Sequence, residues 1–260
     1  GLDYSKKLGQ VEFNVGGNFS LNKNEIKEML EEPRQYANLV QTGNPYEQLY
    51  GLEAIGFFKD EADIAASPTQ NFSTVKPGDI KYRDVNGDNI IDANDKVAIG
   101  YSTTCPEIYY SLHLGAEWKG IGFYAMFQGT GNYSAVLDTK SMYWPLINNT
   151  NISQYAYDNR WTPQNQNAKF PRLSSQSNAN NYQTSTLWLA DRSFLKLRNL
   201  EVYYKLPASW LKKTKIVNAA KLYVRGIDLF SFDHIDENDP EAYGINPMTK
   251  SVALGLSVTF

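Results

Sequence analysis

The sequence predicts an all-β fold of long antiparallel strands that cross a bilayer as part of a barrel. Three observations carry the prediction. Apolar and polar residues alternate with period two over stretches of about nine to eleven residues, the length a tilted strand needs to span a membrane. The links between those stretches run short and long in strict alternation, and the chain closes on such a stretch with an aromatic, Phe260.

The first stretch, 10–21, places Val11, Phe13, Val15, Gly17, Phe19 and Leu21 on one face and Glu12, Asn14, Gly16, Asn18 and Ser20 on the other. In 107–117, Ile108, Tyr110, Leu112, Leu114 and Ala116 oppose Tyr109, Ser111, His113, Gly115 and Glu117; His113 therefore belongs to a polar face. Stretch 121–129 sets Ile121, Phe123, Ala125 and Phe127 against Gly122, Tyr124, Met126 and Gln128. In 193–205, Leu200, Val202 and Tyr204 alternate with Asn199, Glu201 and Tyr203, and 221–230 continues with Leu222 and Val224. The last, 250–260, gives Val252, Leu254, Leu256, Val258 and Phe260 an apolar face backed by Ala253, Gly255, Ser257 and Thr259. "GLDYS" at the start reads as the end of a further strand.

Between these strands lie two short links, around Trp118–Gly120 and over 206–220, where a helical turn is expected after Pro207. The other three links, 22–106, 130–192 and 231–249, are long. Short turns on one rim and long loops on the other are the habit of an outer-membrane barrel. A sandwich has no reason to sort its loops by parity.

Composition narrows the function. A formal charge of −3 over 260 residues, without long runs of one sign, leaves no electrostatic footprint for nucleic acid. A single cysteine, Cys105, excludes an internal disulfide and a multi-thiolate metal site. No apolar run is long enough for a transmembrane helix, which does not bear on a barrel. The start, "GLDYSKKLGQ", has neither an initiator Met nor a secretory signal, and an open sheet with a lipid-facing surface would not stand alone in water, so the chain is expected to belong to something larger.

One stretch carries metal-ligand spacing. In "DVNGDNIIDAND", Asp84, Asn86, Asp88, Asp92 and Asp95 fall at positions 1, 3, 5, 9 and 12 of an EF-hand-type loop, with the Ile90 carbonyl at 7 and Ile91 as apolar anchor at 8. Asn89 replaces the usual Gly at 6, a substitution that Asn's tolerance of left-handed backbone permits, and Asp stands for Glu at 12. A structural Ca²⁺ is the expectation, a plain polar turn the alternative. The second acidic stretch, 232–241, lacks ligand spacing and reads as a solvated loop. Nothing supplies a carboxylate pair in a cleft or a Ser-His-Asp or zinc arrangement, so no enzyme is expected. Tyr143, Trp144, Trp161 and Trp188, with Tyr155 and Tyr157, crowd the 130–192 link; they either stack on a sugar substrate or pack the loop.

With these residues in view, the chain resembles the C-terminal part of SusC/RagA-type TonB-linked outer-membrane transporters of Bacteroidota. The match runs in order: "PGDIKYRDVNGDNIIDANDKVAIG" (77–100) resembles the family's acidic loop segment, "EWKGIGFYAMFQGTGNY" (117–133) its "YKGFDLSVFFQG"-like hairpin, "SFLKLRNLEVYYKLP" (193–207) its "SYLRLKNITLGYTLP"-like strand, and "DPEAYG" with "ALGLSVTF" its ending. At "GIDLFSF" (226–232) it departs from "GQNLFTF": Ile227 and Asp228 replace an amide pair. The resemblance implies a twenty-two-stranded barrel, of which 1–260 supplies about six strands, with 22–106 (carrying the calcium-type loop 84–95), 130–192 and 231–249 as extracellular loops. It implies TonB-dependent import of a glycan or oligopeptide across the outer membrane, a SusD-like surface lipoprotein as partner, TonB coupling through an N-terminal part and plug that lie outside this chain, contact with outer-membrane lipid, and Phe260 as a barrel-assembly signal. A secreted, calcium-stabilised β-sandwich that binds carbohydrate is the alternative.

Overall fold

The structure, a computed structural model, describes residues 1–211, 216–243, 246 and 248–260. The chain divides into two compact units: Gly1–Asn22, Pro106–Tyr133 and Arg192–Phe260 form the first, Lys23–Cys105 and Ser134–Asp191 the second.

The first unit is one antiparallel sheet of seven strands: β1 (Leu2–Leu8), β2 (Val11–Leu21), β3 (Ile108–Trp118), β4 (Ile121–Gly131), β5 (Phe194–Lys205), β6 (Ala219–Asp233) and β7 (Ser251–Thr259), paired in chain order. The six expected strands are all present. The seventh is not the end of a strand but a full partner for β2, from Leu2↔Gly17 to Leu8↔Val11. Its pattern is hidden because Lys6 sits on the apolar face opposite Phe13. The short links are tight for local reasons. Lys119 and Gly120 both have positive φ, 50° and 88°, the combination a type I′ hairpin turn requires, and Gly9 (φ 62°) turns β1 into β2. After Pro207, Ala208–Leu211 forms the expected helical turn; the rest of that link, Lys212–Lys215, lies outside the described residues, as do Gly244, Ile245 and Pro247 of the 231–249 link.

Register gives the sheet two chemically distinct faces. The row Val15–Leu114–Ala125–Leu200–Gly226–Val252 and the row Phe13–Ala116–Phe123–Val202–Val224–Leu254 are apolar. This face is uncovered, with Leu254 80% exposed and Val252 71%, so among the described residues no second sheet packs on it and the sandwich alternative fails. The opposite rows read Ser5–Asn14–Gly115–Tyr124–Glu201–Arg225 and Lys7–Glu12–Glu117–Gly122–Tyr203–Tyr223. Two glycines here make seats for tyrosine rings: a Cβ on Gly122 would lie 2.4 Å from the Tyr203 ring, and one on Gly255 would lie 2.3 Å from that of Tyr223.

The second unit has its own core, although no long strand crosses it. Short pairs tie it: Ala54–Phe57 with Ile80–Tyr82, Tyr50–Gly51 with Val97–Ala98, Ser134–Val136 with Leu189–Asp191, and the parallel pair Thr69–Gln70 with Ile90–Ile91. Leu52, Phe58, Ile80, Tyr82, Ile91, Tyr143 and Trp188 are almost wholly buried. At its centre the fully buried Asp79 carboxylate accepts from Asn178 Nδ2 (2.9 Å), Asn181 Nδ2 (2.8 Å) and the Lys76 amide (2.7 Å), and it pairs with Arg172 at 2.8 Å. Gln70 and Asn180 complete this network, each donating to the Ile80 carbonyl. A buried charge is tolerated only when paired and hydrogen-bonded, and Asp79 meets both conditions. The links 22–106 and 130–192, expected as separate loops, thus join into one folded body.

Candidate functional site

The calcium-type loop closes on itself. Asp84 Oδ1 accepts from the Gly87 amide (2.6 Å) and Oδ2 from that of Asn89 (2.9 Å). Asp95 accepts from Val85 and Asp92, each at 2.8 Å, and Asp92 in turn caps Asn94 at 2.7 Å. Asn89 adopts the left-handed conformation expected at position 6 (φ 61°), and Ile91 is a buried anchor. Asp88 accepts from Ile90 N (2.8 Å) and Asn86 Nδ2 (3.0 Å). In this conformation the carboxylates serve backbone and amide donors, and among the described residues no group of three or more His, Cys, Asp or Glu side chains is placed to hold a metal ion.

The aromatic candidates turn out to be core. Trp188 stacks on Phe170 (5.8 Å, 14°) and on Tyr182 (6.1 Å, 22°), and donates Nε1–H to the Asn181 carbonyl at 2.6 Å. Tyr143 and Trp161 are buried as well, while Trp144 lies half-buried against Tyr182, with ring centroids 5.1 Å apart. This corrects the sugar-stacking expectation for Tyr143, Trp161 and Trp188: packing has already used their faces. Tyr182 shows the same environment. Burial, and then the Asp79 charge, push its phenol up to about 12.

The polar face of the sheet is where functional side chains gather. Glu201, nearly buried, accepts from Lys221 (2.8 Å) and Arg225 (Nε, 2.8 Å) on the next strand. Glu117 binds Lys205 (2.6 Å) and the Tyr203 hydroxyl (2.8 Å). The Lys221 ammonium lies 5.1 Å from the Tyr203 ring centroid and 5.2 Å from that of Tyr223, a cation–π arrangement. His113 Nε2 approaches Asp3 at 3.1 Å and stacks on Tyr124. The face therefore offers alternating anions, cations and flat rings, with Glu201 and Glu117 engaged by cations.

Towards the end of β5 that leads into the long links, the register slips around Arg198 in both of its pairings. Opposite, Asp228 takes a left-handed conformation (φ 52°). The irregularity brings Arg198 to three acceptors on three elements: Gln128 (3.0 Å), Asp228 (2.7 Å) and Glu241 (2.7 Å). Asp228, the departure from the amide pair, is thus an ion-pair partner. Lys196, 3% exposed, binds Asp239 (2.7 Å) and Glu241 (3.2 Å). Burial would raise the Asp239 and Glu241 carboxyls, but Lys196 at Asp239 and Arg198 at Glu241 outweigh it and hold each below the usual carboxylate range. The 232–241 stretch is accordingly corrected from a solvated loop to an ion-paired segment with Ile235 and Pro240 buried. Reading the stretch for metal spacing missed it, because its partners are strand cations more than forty residues away.

No protein-family model matches the chain. Three TonB-dependent receptors of Formosa agariphila are similar to it: 28% identical over 81% of the chain, 23% over 94% and 25% over 86%. The chain spans about a quarter of their length (22%, 26% and 25%). Among solved structures, the RagAB peptide transporter matches 99% of the chain and 28% of its own with a TM-score of 0.75 at 21% identity, and the RagAB peptide importer in its open-open state matches with 0.71 at 20%. That likeness shows the fold.

Proposed function

We propose, since this chain is a homologue of TonB-dependent receptors, that its sheet is one wall of an outer-membrane barrel whose polar face lines the path of an imported oligopeptide. The relatives are receptors rather than enzymes. The observation that carries the reading is the two-faced sheet: uncovered apolar rows suit lipid, and the row from Ser5 to Arg225 suits a watery lumen. Oligopeptide is preferred to glycan on two grounds. Tyr143, Trp161 and Trp188, which would have stacked on sugar, are buried, and alternating Glu, Lys and Arg on the face match the charges of a peptide. A surface lipoprotein would dock on the long-link side, TonB would act through a part of the protein outside this chain, and Phe260 would serve barrel assembly.

The test is uptake by cells carrying the full-length receptor. Fluorescent oligopeptides should enter in a receptor-dependent manner that an uncoupler abolishes. Entry of oligosaccharides instead would move the substrate class, and entry insensitive to the uncoupler would end the reading.

A structural Ca²⁺ at Asp84, Asn86, Asp88, the Ile90 carbonyl, Asp92 and Asp95 is a separate proposal. Its support is the ligand spacing, left-handed Asn89 and buried Ile91. Binding would require the carboxylates to turn from their present donors to a common centre. No step of transport is routed through it.

A further inference from the structure

Resting on the polar face as a passage, we infer that Ile235–Tyr243 is a strap folded inward over that face, latched by Lys196 and Arg198, and that releasing it widens the opening. The direction follows from the side chains that hold it. Lys196 lies in the polar row Asn18–Ser111–Gln128–Lys196–Ser231, so whatever it binds stands over that row. It binds Asp239 and Glu241, and only 3% of its side chain remains exposed. Arg198 adds Glu241 from the same strand, and Arg192 Nε donates to the Pro240 carbonyl at 2.6 Å. Three β5-side cations therefore grip one short segment.

The strap is also stiffened internally. Asp239 Oδ1 accepts from the Glu241 amide (2.9 Å) while holding Lys196, so the turn and the latch share one carboxylate. Charge-assisted bonds of this kind are short and strong, and stripping one side of a buried pair leaves the other charge stranded. Loss of Asp239 and Glu241 should thus free the whole segment rather than loosen one contact. A strap that stands on the polar rows reduces the cross-section a solute can use. Its state sets the size of what reaches the row of Ser111.

The experiment uses the full-length receptor in cells, with Cys105→Ser and Ser111→Cys, and compares a small methanethiosulfonate with a bulky PEG-maleimide added from outside. The Asp239→Asn, Glu241→Gln pair, which lies outside the strands, should speed bulky-reagent labelling roughly tenfold or more, the scale of one lost charge-assisted bond. The small reagent should react equally with both forms. An unchanged bulky-reagent rate overturns the strap. Failure of even the small reagent to reach Ser111→Cys instead overturns the polar face as a passage, and the strap with it. Amide exchange of the purified receptor gives the second readout: Ile235–Tyr243 should exchange faster in the variant while 108–131 does not, and equal rates refute the latch.

Discussion

If the apolar face meets lipid, a charge placed on it must cost according to depth. Val15 lies four residues from the start of β2 and six from its end at Leu21. At about 3.4 Å per residue and a tilt of roughly 40°, those intervals correspond to about 10 and 16 Å along the membrane normal, which puts Val15 near the middle of an apolar band about 25 Å tall. Val15→Arg should therefore destabilise the full-length protein by about 2–4 kcal/mol, roughly 30- to 1,000-fold in the unfolding equilibrium. Leu21→Arg, at the edge of the band, should cost about 0–1 kcal/mol. Asn14→Arg, next to Val15 but facing Ser5 and Gly115 on the polar side, should cost almost nothing. The assay is guanidinium unfolding of the full-length protein refolded into phospholipid vesicles. Equal costs at Val15 and Leu21, or a cost at Asn14 matching that at Val15, would refute the assignment of faces.

Asp79→Ala should cost about 3 kcal/mol, because it strands the Asn178 and Asn181 amides and the Arg172 guanidinium inside the second unit; limited proteolysis of 23–105 checks it. If the 84–95 loop holds calcium, chelator should raise protease cutting there, and no change at saturating chelator counts against the ion. Burial, and then the Asp79 charge, push the Tyr182 phenol up to about 12, so the unfolded chain loses that proton first. Stability should then fall as pH rises from about 10 towards 12, with a tyrosinate absorbance step that Tyr182→Phe removes.

Strands were legible wherever period-two alternation met a tight turn, as between Trp118 and Ile121. The first strand was obscured by one residue, Lys6, which interrupts the apolar face opposite Phe13. The second unit was illegible for another reason. Its organising contacts, such as Gln70 with Asn180, join residues 110 positions apart and leave no local period. The strap failed to show for the same cause. Asp239 and Glu241 look solvated until β5 brings Lys196 beside them. A search for cations on a strand followed by a compact acidic turn would have found it.

The second unit draws its two halves from either side of the β3–β4 hairpin, and this constrains the order of events in folding. The Asp79 carboxylate waits for amides 99 and 102 residues downstream, and Leu52 for the Thr184 carbonyl. Until residues 178–184 have been delivered, the Asp79 carboxylate has the Lys76 amide but neither of its asparagine donors. The hairpin Ile108–Gly131, whose two strands pair with each other locally, can form while that half is still incomplete. Maturation of this body should therefore lag behind the hairpin, and a protease present during assembly would find residues 23–105 before those of β3 and β4.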